Sequence, residues 1–205
     1  MLEFKTQYTE LFTTPVWQTQ ITGIDNNQIK EYCLGLRTKY PGVKISNRGG
    51  WHSKELDTPL PNALNELIHD LTAYINQFVG QHTKATDLML GNWWININGK
   101  GDYNAEHDHQ NALLSAVYYV EVNDSNTGDL VIHRDDSSRY YLGKYKKPST
   151  NFSAQSFIIS PETSKLVIFP AWTKHSVEQS NSNTCLLYTS PSPRDRTRSR
   201  MPSSA

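Results

Sequence analysis

The chain is short of cysteine, of long apolar runs and of net charge, and each shortage removes a class of protein. Only Cys33 and Cys185 occur among 205 residues. That is too few for a disulfide framework, so a reducing compartment, the cytoplasm, is the default. No apolar run approaches the roughly 20 residues that a membrane span needs, which leaves no case for a membrane partner. The opening residues, MLEFKTQYTELF, carry acids early and lack an apolar stretch ending in small residues, so they do not read as a signal peptide. No internal repeat or long linker interrupts Leu11–Thr184. The formal charge is zero, from 20 bases and 20 acids, but it averages two unlike segments. Residues 185–205 hold four arginines and one aspartate, so the body before them carries 16 bases and 19 acids, a net of −3. A mildly acidic body gives no electrostatic footprint for nucleic acid.

What is present suits one globular domain. Hydrophobic residues make up 37% and charged residues 20%, an ordinary balance for a chain long enough to bury a real core. The last twenty-one residues, CLLYTSPSPRDRTRSRMPSSA, differ from the rest: they are rich in Ser, Pro and Arg and have little apolar periodicity. One reading is a disordered basic tail for RNA or a membrane surface. The preferred reading is that CLLYTSPSPRD resembles the translation of a transposase-type sequencing adapter, SRMPSSA that of the flow-cell primer following it, and RTR the sample index between them. On that reading the domain is residues 1–184, truncated at its C-terminus. Residues 185–205 are then a non-native, disordered tail whose arginines carry no functional weight.

Periodicity sketches the elements. Phe12, Pro15, Val16, Trp17 and Ile21 suggest an opening strand. Asp25 suits the cap of a helix in which Ile29, Tyr32, Cys33 and Leu36 recur at helical spacing, ending near Pro41-Gly42. SNRGGWHS is turn-rich. After Pro61, Leu64, Leu67, Ile68, Leu71, Ile75, Phe78 and Val79 form one long stripe, which reads as a helix packed on a sheet. From Asp87 the period drops to 2. LMLGNWWININ places Trp93, Ile95 and Ile97 on one face and Trp94, Asn96 and Asn98 on the other. After the Gly-rich turn NGKGDYN come the strands ALLSAVYYVEV, DLVIH, QSFIIS and KLVIFP. Helices followed by short antiparallel strands predict an α+β chain with a sandwich or barrel, of which a jelly roll is the natural member.

The sharpest local feature is EHDHQ. In an extended segment, side chains two apart share a face, so His107 and His109 can present two imidazoles to one point while Asp108 turns away. A single His-x-His is a weak signal. His175 adds to it, following KLVIFPAWTKH, a strand that ends in a Pro-bounded turn. A third ligand from a distant strand is how a jelly roll closes a metal site at its mouth; taken singly, a hydrogen-bonded loop histidine is the plainer reading. Three ligands on one face leave about three positions open on an octahedral iron, room for a chelating 2-oxo acid and dioxygen.

In order, LFTTPVW, SNRGGWHS, NWWININGKGDYNAEHDH, LLSAVYYVEV, GDLVIH and KLVIFPAWTKHSVE resemble the 2-oxoglutarate-Fe(II) oxygenase family of marine bacterial and phage type, a branch close to prolyl hydroxylases. The resemblance covers about Leu11 to Thr184, and GGWHS and His-x-His are its most distinctive parts. It implies a double-stranded β-helix core with the N-terminal helices packed on one sheet. It also implies oxidative decarboxylation of 2-oxoglutarate to succinate coupled to hydroxylation of a small-molecule or peptidyl substrate. Fe(II), 2-oxoglutarate and dioxygen are then required, with ascorbate as a further cofactor. His107 matches the first metal ligand and His175 the distal histidine. His109 stands where the wider superfamily has a carboxylate, and a three-histidine site is the first choice; Asp108 as ligand would need a local bulge. A neutral imidazole in that place leaves the iron more positive.

Tyr119 matches a tyrosine that hydrogen-bonds the far carboxylate of 2-oxoglutarate, and Ser115 shares its strand face. Asn98, Asn96 and Trp94 are candidate lining, the other reading being a solvated strand face. Trp51, Trp94 and Trp172 would surround the mouth. In relatives an Arg or Lys about ten residues after the distal histidine grips the far carboxylate. Here that position is Thr184 or Cys185, where the foreign segment begins. The anchor and the last strand are therefore expected to be missing, leaving an open sheet edge. Two other functions remain open: a cupin-like three-histidine metalloenzyme without 2-oxoglutarate, and a non-catalytic jelly-roll binding or structural module.

Overall fold

Asp25 begins the first helix by accepting the Gln28 amide on its carboxylate at 3.0 Å, so one of the otherwise unpaired N-terminal donors is satisfied. Helix α1 runs Asn26–Lys39, with Arg37 and Lys39 in the last turn, where cations complement the helix dipole. Helix α2, Asn62–Tyr74, follows Pro61 and buries Leu64, Leu67 and Leu71. A π turn, Ile75–Val79, carries the stripe onward through Ile75 and Val79 into the short α3, Gly80–Thr83. The computed structural model describes residues 5–56, 59–83, 88–89, 91–110, 112–123, 126–142, 150–181, 185–192 and 194–195. No helix among them is long and apolar enough to cross a membrane.

The strands in chain order are β1 (Trp17–Gln20), β2 (Asn47–Arg48), β3 (Trp51–His52), β4 (Leu88–Met89), β5 (Trp94–Asn98), β6 (Tyr103–His107), β7 (Leu114–Val122), β8 (Leu130–His133), β9 (Ser156–Ile159), β10 (Lys165–Pro170), β11 (His175–Val177), β12 (Cys185–Ser192) and β13 (Arg194–Asp195). A large sheet has the order β1-β10-β7-β12-β5-β3 and a smaller one β2-β6-β11-β8-β9, while β4 and β13 pair separately. The pairings are antiparallel.

Two cores share the large sheet. Leu114, Ala116, Tyr118 and Val120 of β7 pack with Ile95 and Ile97 against the helical stripe of Ile29, Leu64, Leu67 and Leu71. Val117 and Tyr119, pointing the other way by the two-residue period, pack with Val167 and Phe169 and with Leu130, Ile132 and Ile159 of the smaller sheet. The two sheets therefore face each other across a shared interior, and β7 is buried on both sides. Helix α1 is also fixed by polar contacts: the Tyr118 hydroxyl donates to Asn26 Oδ1 at 2.8 Å, and Asn26 Nδ2 donates to Ser164 Oγ at 2.8 Å.

Two expectations need correction. SNRGGWHS is more than a turn, since it holds β2 and β3. Gly49 sits at φ +79°, and a Cβ on Gly50 would lie 2.4 Å from Asn98 Oδ1, so the glycines let one short strand join each sheet. A strand also occupies the place where an open sheet edge was expected. Cys185–Ser192 forms β12, paired on one side with β5 and on the other with β7. The physical reason is the slot itself. Without β12, two long strands would each show a row of unpaired amides and carbonyls, and backbone pairing is indifferent to where a sequence comes from. Leu, Tyr and Thr in CLLYTS are also compatible with a strand.

Leu67→Ala should lower unfolding free energy by about 2–5 kcal/mol, as for other fully buried leucines. Tyr118→Phe, which removes the hydroxyl that bonds Asn26 and little volume, should cost only about 1 kcal/mol. Urea denaturation of the three proteins checks both values.

Candidate metal centre

Cross-strand pairing brings two of the three histidines together. His175 opens β11 and lies directly opposite His107, the last residue of β6. Their ring centroids are 4.3 Å apart. The register shifts between His175 and Val177, a bulge that lets both Asn104 and His107 turn inward although they are three residues apart. Asn104 is buried there and accepts from Asn98 Nδ2 at 3.0 Å. His109 lies two residues past β6, and its amide donates to Ala171 O at 2.9 Å, which ties the segment to the turn after β10. Its ring centroid is 5.0 Å from each of the other two. The potential ligand atoms of His107, His109 and His175 all lie within 4.8 Å of one another. Among the described residues this is the one such group, and Asp108 is not part of it.

Hydrogen bonds decide which nitrogen faces the shared point. His107 Nδ1 lies 2.7 Å from Ala105 O and His175 Nδ1 lies 2.9 Å from Thr173 O. A carbonyl only accepts, so each Nδ1 carries the proton and each Nε2 keeps its lone pair. Both acceptors sit two residues before the histidine they hold. His109 Nε2 is buried with no hydrogen-bond partner among the described residues. Burial, reinforced by the neighbouring His107 ring, pushes His109 down to about 4 and His175 down to about 3. Burial also lowers His107, against the pull of Ala105 O and Asp108. Three neutral imidazoles are therefore ready to ligate without first losing a proton.

This donor set fits a divalent iron. Imidazole suits iron, three ligands from one side leave positions open, and an unpartnered buried nitrogen is what a missing ligand bond leaves behind. Phe169 closes one wall, its ring 4.7 Å from that of His175.

The other residues singled out in the sequence divide. Tyr119 is buried in the inter-sheet core that also contains Phe169. Ser115 is fully buried, and its Oγ has no hydrogen-bond partner among the described residues; the same holds for Asn98 Oδ1. Asn96 is buried too, so the inner side of β5 is not a solvated face. Trp94 packs on His109 with ring centroids 5.4 Å apart. Trp51 is not at the mouth: it packs on the helix-side core and donates its Nε1–H to Tyr40 O at 2.9 Å. Trp172 is exposed in the turn between β10 and β11. Of the two anchor positions, 184 lies outside the described residues and 185 begins β12.

One residue beside the site escaped notice. His52, in the GGWHS block, is buried and stacks on Trp94, with ring centroids 5.5 Å apart and planes within 17°. The signal was a histidine in a strand-forming Trp-His pair between glycines and Ser53, hidden because the block reads as a turn.

Residues 92–186 match the family described as "Putative 2OG-Fe(II) oxygenase". A search of curated proteins gives no match. Among solved structures, a Pseudomonas putida prolyl-4-hydroxylase aligns with TM-score 0.59 and 15% identity over 90% of this chain and 94% of that one. A Trichoplax adhaerens prolyl hydroxylase, in complex with a hypoxia inducible factor peptide fragment, aligns with TM-score 0.60 and 13% identity over 89% and 84%. HygX from Streptomyces hygroscopicus, with nickel and 2-oxoglutarate bound, aligns with TM-score 0.58 and 9% identity over 90% and 84%. The stretch that carries all three histidines is thus a match to the 2OG-Fe(II) oxygenase family, set within a chain that has the fold of prolyl hydroxylases.

Proposed function

We propose that the protein is an Fe(II)- and 2-oxoglutarate-dependent oxygenase that hydroxylates a small-molecule or peptidyl substrate and converts 2-oxoglutarate to succinate. The observation that carries this reading is the convergence of three neutral imidazoles, two with their tautomers fixed, inside the family-matched segment. The jelly-roll closure of a double-stranded β-helix is the scaffold this reading uses, and the cytoplasm is its compartment.

His107, His109 and His175 would hold the iron, with Ala105 O and Thr173 O keeping the protons of His107 and His175 on the far ring nitrogens. Bound there, iron supplies the activation of dioxygen that couples decarboxylation to hydroxylation. Ser115, Tyr119 and Asn98 would hold 2-oxoglutarate on the inner side of the large sheet. What supports this is their burial and the unmet hydrogen-bonding capacity of Ser115 Oγ and Asn98 Oδ1. The apolar inter-sheet core of Val117, Val167, Phe169 and Ile132 keeps water from the enclosed side of the site. The peptide held by the Trichoplax enzyme and the 2-oxoglutarate held by HygX support the peptidyl substrate and the cosubstrate respectively.

Anaerobic Fe(II) titration should give a visible charge-transfer band only when 2-oxoglutarate is added, and His107→Ala and His175→Ala should each abolish metal binding and band together. Metal binding without the band would favour the cupin-like chemistry. Unaltered metal content in the double variant would leave only a binding module.

The folded-state values near 4 and 3 for His109 and His175 lie below the ordinary 6.5. The unfolded chain therefore binds more protons between about pH 6.5 and 3, and stability falls as pH drops through that window. The urea midpoint of the metal-free protein should decline from pH 7 to pH 4.5. His175→Leu should flatten that decline by removing one titrating group.

A further inference from the structure

The three histidines are not held alike. His107 and His175 each donate Nδ1–H to a carbonyl two residues back. For His109 the buried Nε2 has no hydrogen-bond partner among the described residues, and its ring neighbours are His107, His175 and Trp94. Trp94 is itself backed by His52, in a near-parallel stack. His52 is firmly placed. Its Nδ1 donates to Ser53 O at 2.6 Å, and Ser53 is tied to β5 through Ser53 N to Ile95 O at 2.9 Å and Ile95 N to Ser53 Oγ at 3.0 Å. His52 lies opposite Asn96 in the β3–β5 register, so edge strand β3 delivers a flat ring onto Trp94.

We propose that the His52–Trp94 stack is the device that orients His109, in place of the carbonyl that orients each of the other two ligands; this rests on the three-histidine metal centre proposed above. A neutral imidazole is not drawn into place by charge, as a carboxylate would be, so the rings packed against it help to set its plane. Aromatic rings hold each other in tilted and offset geometries, and the 57° tilt of His109 on Trp94 is one of these. His52 and Trp94 are accordingly positioning residues: they act on the metal through His109.

The test is titration of the full chain with Co(II), read by its visible ligand-field spectrum and by calorimetry. His52→Ala and Trp94→Ala should each weaken Co(II) binding by about 10-fold and alter the spectrum, the scale seen when groups supporting metal ligands are removed. His52→Phe keeps the ring and loses the nitrogens, and should bind as the unmodified protein does. Unchanged affinity and spectrum in His52→Ala would overturn the proposal. So would equal weakening in His52→Phe and His52→Ala, since the nitrogen and not the ring would then be what matters. If the alanine variants fail to fold, His52→Leu fills the space without a flat ring. A loss of affinity there supports the stack, and full affinity sinks it. Failure of the unmodified chain to bind Co(II) would instead count against the metal centre itself.

Discussion

The register of β11 on β6 is the constraint on which the site rests. It sets His175 opposite His107, and a slip of one residue would send the His175 side chain to the other face of its sheet. The register is held from both sides, by β8 against β11 and by β2 against β6, so the two histidines lie in the middle of the smaller sheet and not at its margin. The bulge between His175 and Val177 adds the local adjustment that keeps Asn104 and His107 both inward. The meeting of His175 with His107, far apart in the sequence, is in space a product of backbone pairing.

Burial then sets the chemistry. The inter-sheet core takes the rings away from water, which depresses their proton affinity and keeps them as lone-pair donors at neutral pH. The same burial would be costly if every polar atom were left unmet, and the carbonyls of Ala105 and Thr173 meet that cost for two of the rings. Among the described residues, His109 Nε2, Ser115 Oγ, Asn98 Oδ1 and Thr173 Oγ1 are buried without a hydrogen-bond partner.

Much of this was legible in the residues. The cap at Asp25, the stripe from Leu64 to Val79 apart from the exposed Phe78, and the alternation that sends Ile95 and Ile97 one way and Asn96 and Asn98 the other all follow from periodicity, and the structure shows them. The pairing of His107 with His175 was accessible only as a guess from strand-like flanks, because register is decided by contacts 68 residues apart. The block around Trp51 and His52 was opaque for a different reason: two-residue strands carry no period, and glycines mark them as turns. β12 went unforeseen because composition describes what a segment prefers when alone, whereas an open slot between two strands offers it backbone partners whatever its origin.

Strand β7 has a consequence of its own. Its even-numbered residues from Leu114 to Val120 serve the helix layer, and its odd-numbered residues from Ser115 to Tyr119 line the interior between the sheets. Two independent alphabets are thus interleaved along one segment. Substitutions that repack the space between the sheets can draw on one set and leave the helix-facing set untouched, so the two layers are free to diverge separately.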